Sequence, residues 1–265
     1  MKSVLKFGGT CLCDCKTIKM ARDVVLANPN CKVVIASAAG KRFNGDKKIT
    51  DILIEFCKNR KHRQPFDLFC KRTMVAANFF GVGHEILLEL ENLNKNLFKL
   101  DDDFIISRGE YFSAKILAKA CNMKFVDASK VFVCTQGKID IEKSKKNAHL
   151  LTASACVVPG FYGVNEFGET KILQRGGSDE TAAVAALILG AKIFEKWTDV
   201  DGIFSCPKNL SGNVLHSIDY ETAKKVCCGE HAILSARSLE ILQSANVCTK
   251  IKNINHPCEE GSVIL

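Results

Sequence analysis

Long apolar runs are missing from this 265-residue chain. None approaches the roughly 18 residues that crossing a bilayer takes, and the opening Met1-Lys2-Ser3-Val4 lacks the hydrophobic stretch of a secretory leader. The expected location is therefore the cytoplasm, with no membrane partner. C-x-x-C spacing is also missing, although the chain holds 14 cysteines. Cys11, Cys13 and Cys15 alternate across a strand exit and a helix start, so they do not converge on one ion, and the Cys227-Cys228 pair has no partner pair. Cys134, Cys156 and Cys248 sit inside apolar runs. In a chain of this length without a leader, that pattern reads as buried, reduced thiols instead of a disulfide framework, and no metal site is expected. Internal repeats and low-complexity linkers are absent as well.

What is present is a globular composition. With 47% hydrophobic and 25% charged residues, the chain can bury a proper core. The formal charge of +8 raises the question of nucleic acid. The lysines are dispersed among acids, however, and the one tight basic cluster, "KNRKHR" (58–63), has no aromatic interleaving and reads as a solvated helix end. No nucleic-acid partner is expected. A nucleotide or an acidic small molecule suits the charge equally well.

"SVLKF" (3–7) and "KVVIAS" (32–37) are short, apolar and β-branched, as buried strands of a parallel sheet are. Between them Asp14 can cap a helix running to about Ala27, where Asn28-Pro29-Asn30 stops it, and the whole is a β-α-β unit. Helical periodicity follows over 50–60, 65–80 and 84–99. Strands return at "KFVDA" (124–128) and "ACVVPGF" (155–161). A helix is predicted from Ser178 to Leu189, ended by Gly190, and "KIFEKWT" (192–198) is the next strand. Helices over about 219–227 and 235–245 precede "VCTKIKN" (247–253) and a final "SVIL". Alternation of this kind predicts an α/β fold with a mostly parallel central sheet, whose ligands collect beyond the carboxyl ends of the strands.

Two glycine clusters fall at those ends. In Lys6-Phe7-Gly8-Gly9-Thr10 a strand gives way to a turn, where glycines expose backbone N–H groups and Lys6 adds a point charge. A Gly-Gly turn alone is more often structural. In "QRGGSDETAAVAA" (174–186) Gly176 and Gly177 precede a helix whose positive end faces the same cleft, and Arg175 adds a fork suited to carboxylate or phosphate. A plain helix cap accounts for Ser178 and Asp179 but not for Arg-Gly-Gly. G-x-x-x-x-G-K-[ST] and the H-R-D and D-F-G motifs are missing, which excludes the P-loop and protein-kinase routes to phosphoryl transfer. "GVGHEI" lacks the third glycine of a dinucleotide fingerprint.

Taken together and in order, "KFGGT", "SRGEYFSAKILA" (107–118), "GFYG" (160–163), "RGGSDETAA" and "WTDVDGIF" (197–204) resemble the aspartokinases of the amino-acid-kinase fold, and "SAAGKRFNGDKKITDIL" (37–53) resembles the loop and helix after their second strand. The likeness covers essentially the whole chain. It implies a three-layer α/β/α sandwich, with an aspartate-binding lobe over about 1–160 and a nucleotide-binding lobe over about 161–265. It also implies transfer of the ATP γ-phosphoryl group to the β-carboxylate of L-aspartate, giving 4-phospho-L-aspartate, the first step towards lysine, threonine and methionine. A carboxylate nucleophile is already ionised near neutral pH and needs no base. The cost lies in bringing an anion to a polyanion, so the site must supply positive charge, N–H donors and alignment.

By this resemblance Lys6 would neutralise the transferred phosphoryl group, Gly8 and Gly9 would supply N–H groups, and Asp179 would orient Lys6. Glu110 would grip the substrate ammonium and Arg175 a carboxylate, with Thr50, Phe161, Gly176 and Ser178 completing the aspartate pocket. Thr10, Thr198, Asp199, Phe204 and Lys208 would line the nucleotide site, and Mg²⁺ would arrive with ATP, bound through phosphates and water. Read without the resemblance, Glu110 is a solvated acid at a helix start and Trp197 a core residue.

The chain departs from the family pattern in three places. Cys11 stands where serine is usual. "GIFSCPK" is one residue short, loses its acid and puts Lys208 near the usual arginine. The position of a second active-site lysine falls near His231 or Ala232. A different acceptor on the same fold, or a non-catalytic homologue serving as a binding subunit, are the competing readings. Relatives continue past a segment like "NHPCEEGSVIL" into paired ACT-type domains that also aid dimerisation. The sequence as given therefore predicts a single catalytic domain, open to forming a homodimer and indifferent to lysine, threonine and methionine.

Overall fold

The computed structural model describes residues 1–206, 211–227 and 233–265. Lys208, His231 and Ala232 lie outside the described residues. The chain begins β1 (Ser3–Phe7), α1 (Cys15–Ala27), β2 (Cys31–Ala36), and Asp14 caps α1 through a capping box with Thr17. Four helices follow: α2 (Ile49–Lys58), α3 (Gln64–Phe79), α4 (Gly83–Asn96) and α5 (Asp102–Cys121). Then come β3 (Lys124–Phe125), β4 (Val133–Thr135), β5 (Lys138–Asp140), α6 (Ile141–Lys145), α7 (His149–Thr152), β6 (Cys156–Pro159), β7 (Tyr162–Val164) and β8 (Thr170–Ile172). The remainder runs α8 (Gly177–Leu189), β9 (Ile193–Thr198), β10 (Phe204–Cys206), β11 (Ser211–Val214), β12 (Ser217–Ile218), α9 (Tyr220–Val226), α10 (Ala236–Ser244), β13 (Cys248–Asn253) and β14 (Ser262–Ile264).

The main sheet has eight strands in the order β12-β14-β13-β9-β1-β2-β6-β3, parallel throughout except where β13 meets β14. β1 therefore lies between β2, its successor, and β9, which arrives much later. The chain leaves β1 in opposite directions on its two sides, and that reversal opens a crevice at the strand carboxyl ends.

Each face of the sheet is covered by its own core. Val4, Val33, Ile35 and Phe194 pack with α8 and α10 on one side, and Leu5, Phe7, Val34 and Trp197 pack with α1, α2, α3 and α5 on the other. The expected three-layer arrangement is thus present. Because side chains alternate along a strand, Lys6 shares the α8 side with Val4, and Lys196 shares it with Phe194. No helix among the described residues is long and apolar enough to cross a membrane.

Three features differ from the sequence expectation. The segment around Glu110 is the middle of the 20-residue α5, with Asp101 at its N-cap and Asn122 closing it in the left-handed conformation at φ 52°. Glu110 is therefore not at a helix start. The strand expected over 124–128 stops at Phe125, because Asp127 caps a 3-10 turn by accepting from Ser129 N–H. A second, four-stranded sheet, β5-β4-β7-β8, was not anticipated, since three-residue strands are too short to show a period.

Candidate active site

β1 and β9 pair in parallel with Lys6 opposite Lys196, so two ammonium groups emerge side by side. The first turn of α8 points at them and carries Asp179. Lys6 Nζ lies 2.7 Å from Asp179 Oδ1, and Lys196 Nζ lies 2.8 Å from Oδ2. All three side chains are buried. Lys196 also donates to the carbonyl of Ile233. Burial raises the Asp179 pKa, but the two lysines outweigh it and hold the carboxyl below its ordinary value. Lys196 is lowered to about 8, first by burial and further by Lys6, against the pull of Asp179. One anion shared by two cations leaves a net positive charge at the strand ends.

The turn after β1 is held by close contacts. Gly9 accepts from Gly40 N–H at 2.8 Å, and a Cβ on Gly9 would sit 2.8 Å from Ala38 O, so the two loops meet at a distance that only glycine permits. Gly8 departs from its expected role: its N–H donates to Trp197 O at 3.0 Å, extending the β1–β9 pairing, and is not available to a phosphate. Beyond the turn, Asp199 Oδ1 accepts from Thr10 Oγ1 at 3.0 Å and from Thr198 Oγ1 at 3.1 Å, bringing together three of the expected nucleotide residues. Phe204 is half-buried on β10, and Lys208 lies outside the described residues.

On the other side of Lys6, α5 runs close under the second loop. A Cβ on Gly109 would lie 3.0 Å from both Ala38 Cβ and Ile49 Cγ2, which seats Glu110 beside the start of α2 that carries Thr50. Glu110 is only 4% exposed, and its Oε2 has no hydrogen-bond partner among the described residues. Burial pushes its pKa up to about 8, against the opposing effects of Ala38 N–H, Lys6 and Arg108. A buried carboxyl with an unpaired oxygen is suited to receive a cation.

Phe161 holds a φ of +74°, unusual for a bulky residue, fixed by its N–H donating to Thr181 Oγ1 at 3.1 Å and its carbonyl accepting from Leu173 N–H at 2.8 Å. Strain of this kind gathers at ligand sites. Gly176 caps α8 at φ +88°. Ser178 is half-buried, whereas Arg175 is exposed and makes no ion pair among the described residues.

Lys196 is the candidate site residue that sequence reasoning missed. It was read as part of an ordinary buried strand. The available signal was its parity with Phe194, which aims a lysine inward. The twelve cysteines whose side chains are described are free thiols, six of them buried, and burial lifts the Cys11 pKa to about 12 despite Lys6 nearby. Elsewhere, Asp201, His256 and Glu259 place ligand-type atoms within 4.8 Å of one another, but Asp201 already accepts from Asn253 and sits 2.9 Å from His256 Nδ1.

The sequence profile described as the amino acid kinase family matches residues 1–253. Aspartokinase 3 of Bacillus subtilis (strain 168) is 26% identical, over 99% of this chain and 63% of its own length. The crystal structure of Clostridium acetobutylicum aspartate kinase superposes with a TM-score of 0.89 at 31% identity, over 99% of this chain and 62% of that one. E. coli aspartokinase III, solved with aspartate and ADP, shares the fold with a TM-score of 0.88 at 23% identity, over 100% of this chain and 64% of its own. The chain spans less than two thirds of the length of each of these relatives.

Proposed function

The chain belongs to the amino acid kinase family, and from that premise we propose that it is an aspartokinase, transferring the γ-phosphoryl group of ATP to the β-carboxylate of L-aspartate. One observation carries the reading: a paired two-lysine cluster at the end of β1 faces an unpaired buried carboxyl on α5. The first suits a phosphoryl group in flight, and the second suits an amino acid's ammonium. The complex of E. coli aspartokinase III with aspartate and ADP supports the same pairing of ligands.

The carboxylate oxygen of the substrate attacks the γ-phosphorus, an O–P bond forms, and the bond to the bridging oxygen of ADP breaks, with no proton to move. Lys6 and Lys196 offset the charge that gathers on the transferred group, while Asp179 holds both ammonium groups in place before substrate arrives. Gly9 supplies the backbone N–H at the turn. Glu110 binds the aspartate ammonium, Arg175 a carboxylate, and Thr50, Phe161, Gly176 and Ser178 shape the pocket. Thr10, Thr198, Asp199, Phe204 and Lys208 attend the nucleotide. Mg²⁺ would arrive with ATP and would be held by phosphates and water. On this reading the two lobes, about 1–160 and about 161–265, share the work: the aspartate pocket draws Thr50 and Glu110 from the first and Phe161, Arg175, Gly176 and Ser178 from the second.

A non-catalytic homologue was suggested by the lysine lacking near His231 or Ala232. Lys196 weakens that reading by placing a second ammonium on Asp179 from β9. ADP release followed by a coupled assay with aspartate, with glutamate and with no acceptor tests the proposal. Aspartate-dependent release supports it, and equal release in all three arms contradicts it.

A further inference from the structure

Behind the candidate active site lies a cavity of about 540 Å³, within the range of small-molecule sites. Leu12, Ile18, Ile49 and Ile116 give it an apolar floor. Its rim is basic: Lys16, Arg42, Lys71 and Arg72 line it against the single carboxylate of Asp14. That carboxylate is engaged at the start of α1, accepting from Thr17 N–H at 2.8 Å. Arg42 and Arg72 share Asp46, at 2.8 and 3.4 Å. Hydrogen bonding from Arg42 holds Asp46 far below the ordinary carboxylate range despite its burial, so that anion is fully spent. Lys16 and Lys71 are exposed and make no ion pair among the described residues.

From an apolar floor under two unneutralised ammonium groups, we propose that this cavity is a second ligand site, taking a small amphipathic anion: an apolar body with one carboxylate or phosphate head. The proposal goes beyond the kinase reading and does not depend on it.

The cavity is wired to the site in front of it. Gly109 and Ile49 line it, and their chain neighbours Glu110 and Thr50 belong to the proposed aspartate pocket. Arg72 donates to Gly40 O and to Lys47 O, each at 2.6 Å, and Gly40 in turn donates to Gly9 O at 2.8 Å. An anion that draws Arg72 or Arg42 away from Asp46 therefore loosens the support of the phosphate turn. A coupling between two distinct sites of this kind is reciprocal in binding free energy.

The test uses octanoate, octyl phosphate and neutral octanol as probes, titrated into the protein by calorimetry without nucleotide or aspartate. The expected result is one saturable site for an anionic probe, with octanol at least about tenfold weaker. The double variant Lys16→Ala/Lys71→Ala, altered at exposed positions only, should lose about tenfold or more in anion affinity. Ala76→Phe, which fills the cavity from α3, should abolish binding. Carboxylate and phosphate heads are told apart by which anionic probe binds tighter. No saturable binding at millimolar anion, or binding that survives both variants, overturns the proposal. Because calorimetry needs no turnover, this outcome is independent of whether ADP release is observed.

Discussion

At the end of β1, Lys6 and Lys196 share the carboxylate of Asp179, whereas on α5 Glu110 keeps one oxygen without a partner among the described residues. Both regions bury charge-bearing groups in one cleft, yet only in the first do ammonium groups lie within ion-pair distance of the carboxylate. Asp179 stays ionised because two cations repay its desolvation. Glu110 meets the same desolvation with no ion pair among the described residues, the weaker attraction of Lys6 and Arg108 does not offset it, and its pKa climbs to about 8. On the proposed function, the phosphoryl end is assembled in advance, while the aspartate end is left short of one positive charge, which an amino-acid substrate would bring with it.

The largest effect expected from disturbing this contrast is on stability. Asp179→Ala strips the anion from two buried ammonium groups and should cost about 3–5 kcal/mol in urea unfolding, the usual range for breaking a buried pair. A loss below about 1 kcal/mol would mean that the cluster is wetter than described. Next comes Lys6→Ala, which should lower turnover by about a hundredfold, or about 2.7 kcal/mol, with a smaller change in the aspartate KM. Turnover in the unaltered protein should also decline above about pH 8, because the lowered pKa of Lys196 costs it its proton there. A rate flat to pH 9.5 would remove Lys196 from the mechanism.

Glu110→Gln should act in the opposite sense on the free protein. The folded pKa of Glu110 is raised, so stability falls as pH climbs from its ordinary value through about 8, where a buried carboxylate must form. The variant escapes this. Its melting temperature should match the parent at pH 5 and exceed it at pH 9, by roughly 2–4 °C per kcal/mol relieved. Equal melting temperatures at both pH values would show that Glu110 is already compensated. The smallest effect expected is for Cys11→Ser. Its thiol is buried and neutral, so activity should persist within about twofold, as initial rates would show.

The sequence made the paired region only half visible. Lys6 stood in a glycine-bearing motif at a strand end, where local chemistry announces it, whereas Asp179 read locally as a helix cap and its tie to Lys6 came only from the family resemblance. Lys196 had no such motif. It became legible only once parallel pairing set it opposite Lys6, a contact between distant parts of the chain. Gly8 was misjudged for the same reason, since whether its N–H is free depends on how far β9 continues alongside β1. Glu110 was singled out by its surrounding motif, but its buried environment was not legible, because the burial along α5 masks the helical period that an amphipathic helix shows. Asp14 capping α1, and Gly190 closing α8, were readable because caps are local.

The contrast between the two regions is tested most directly by the aspartate KM of the parent and of Glu110→Gln, measured between pH 6 and pH 8 with ADP release as the readout. An unpaired Glu110 must give up its proton to receive the substrate ammonium. The KM of the parent should therefore rise by up to about tenfold for each pH unit below 8, while that of the variant stays high and flat. Parallel profiles for the two proteins would contradict the account.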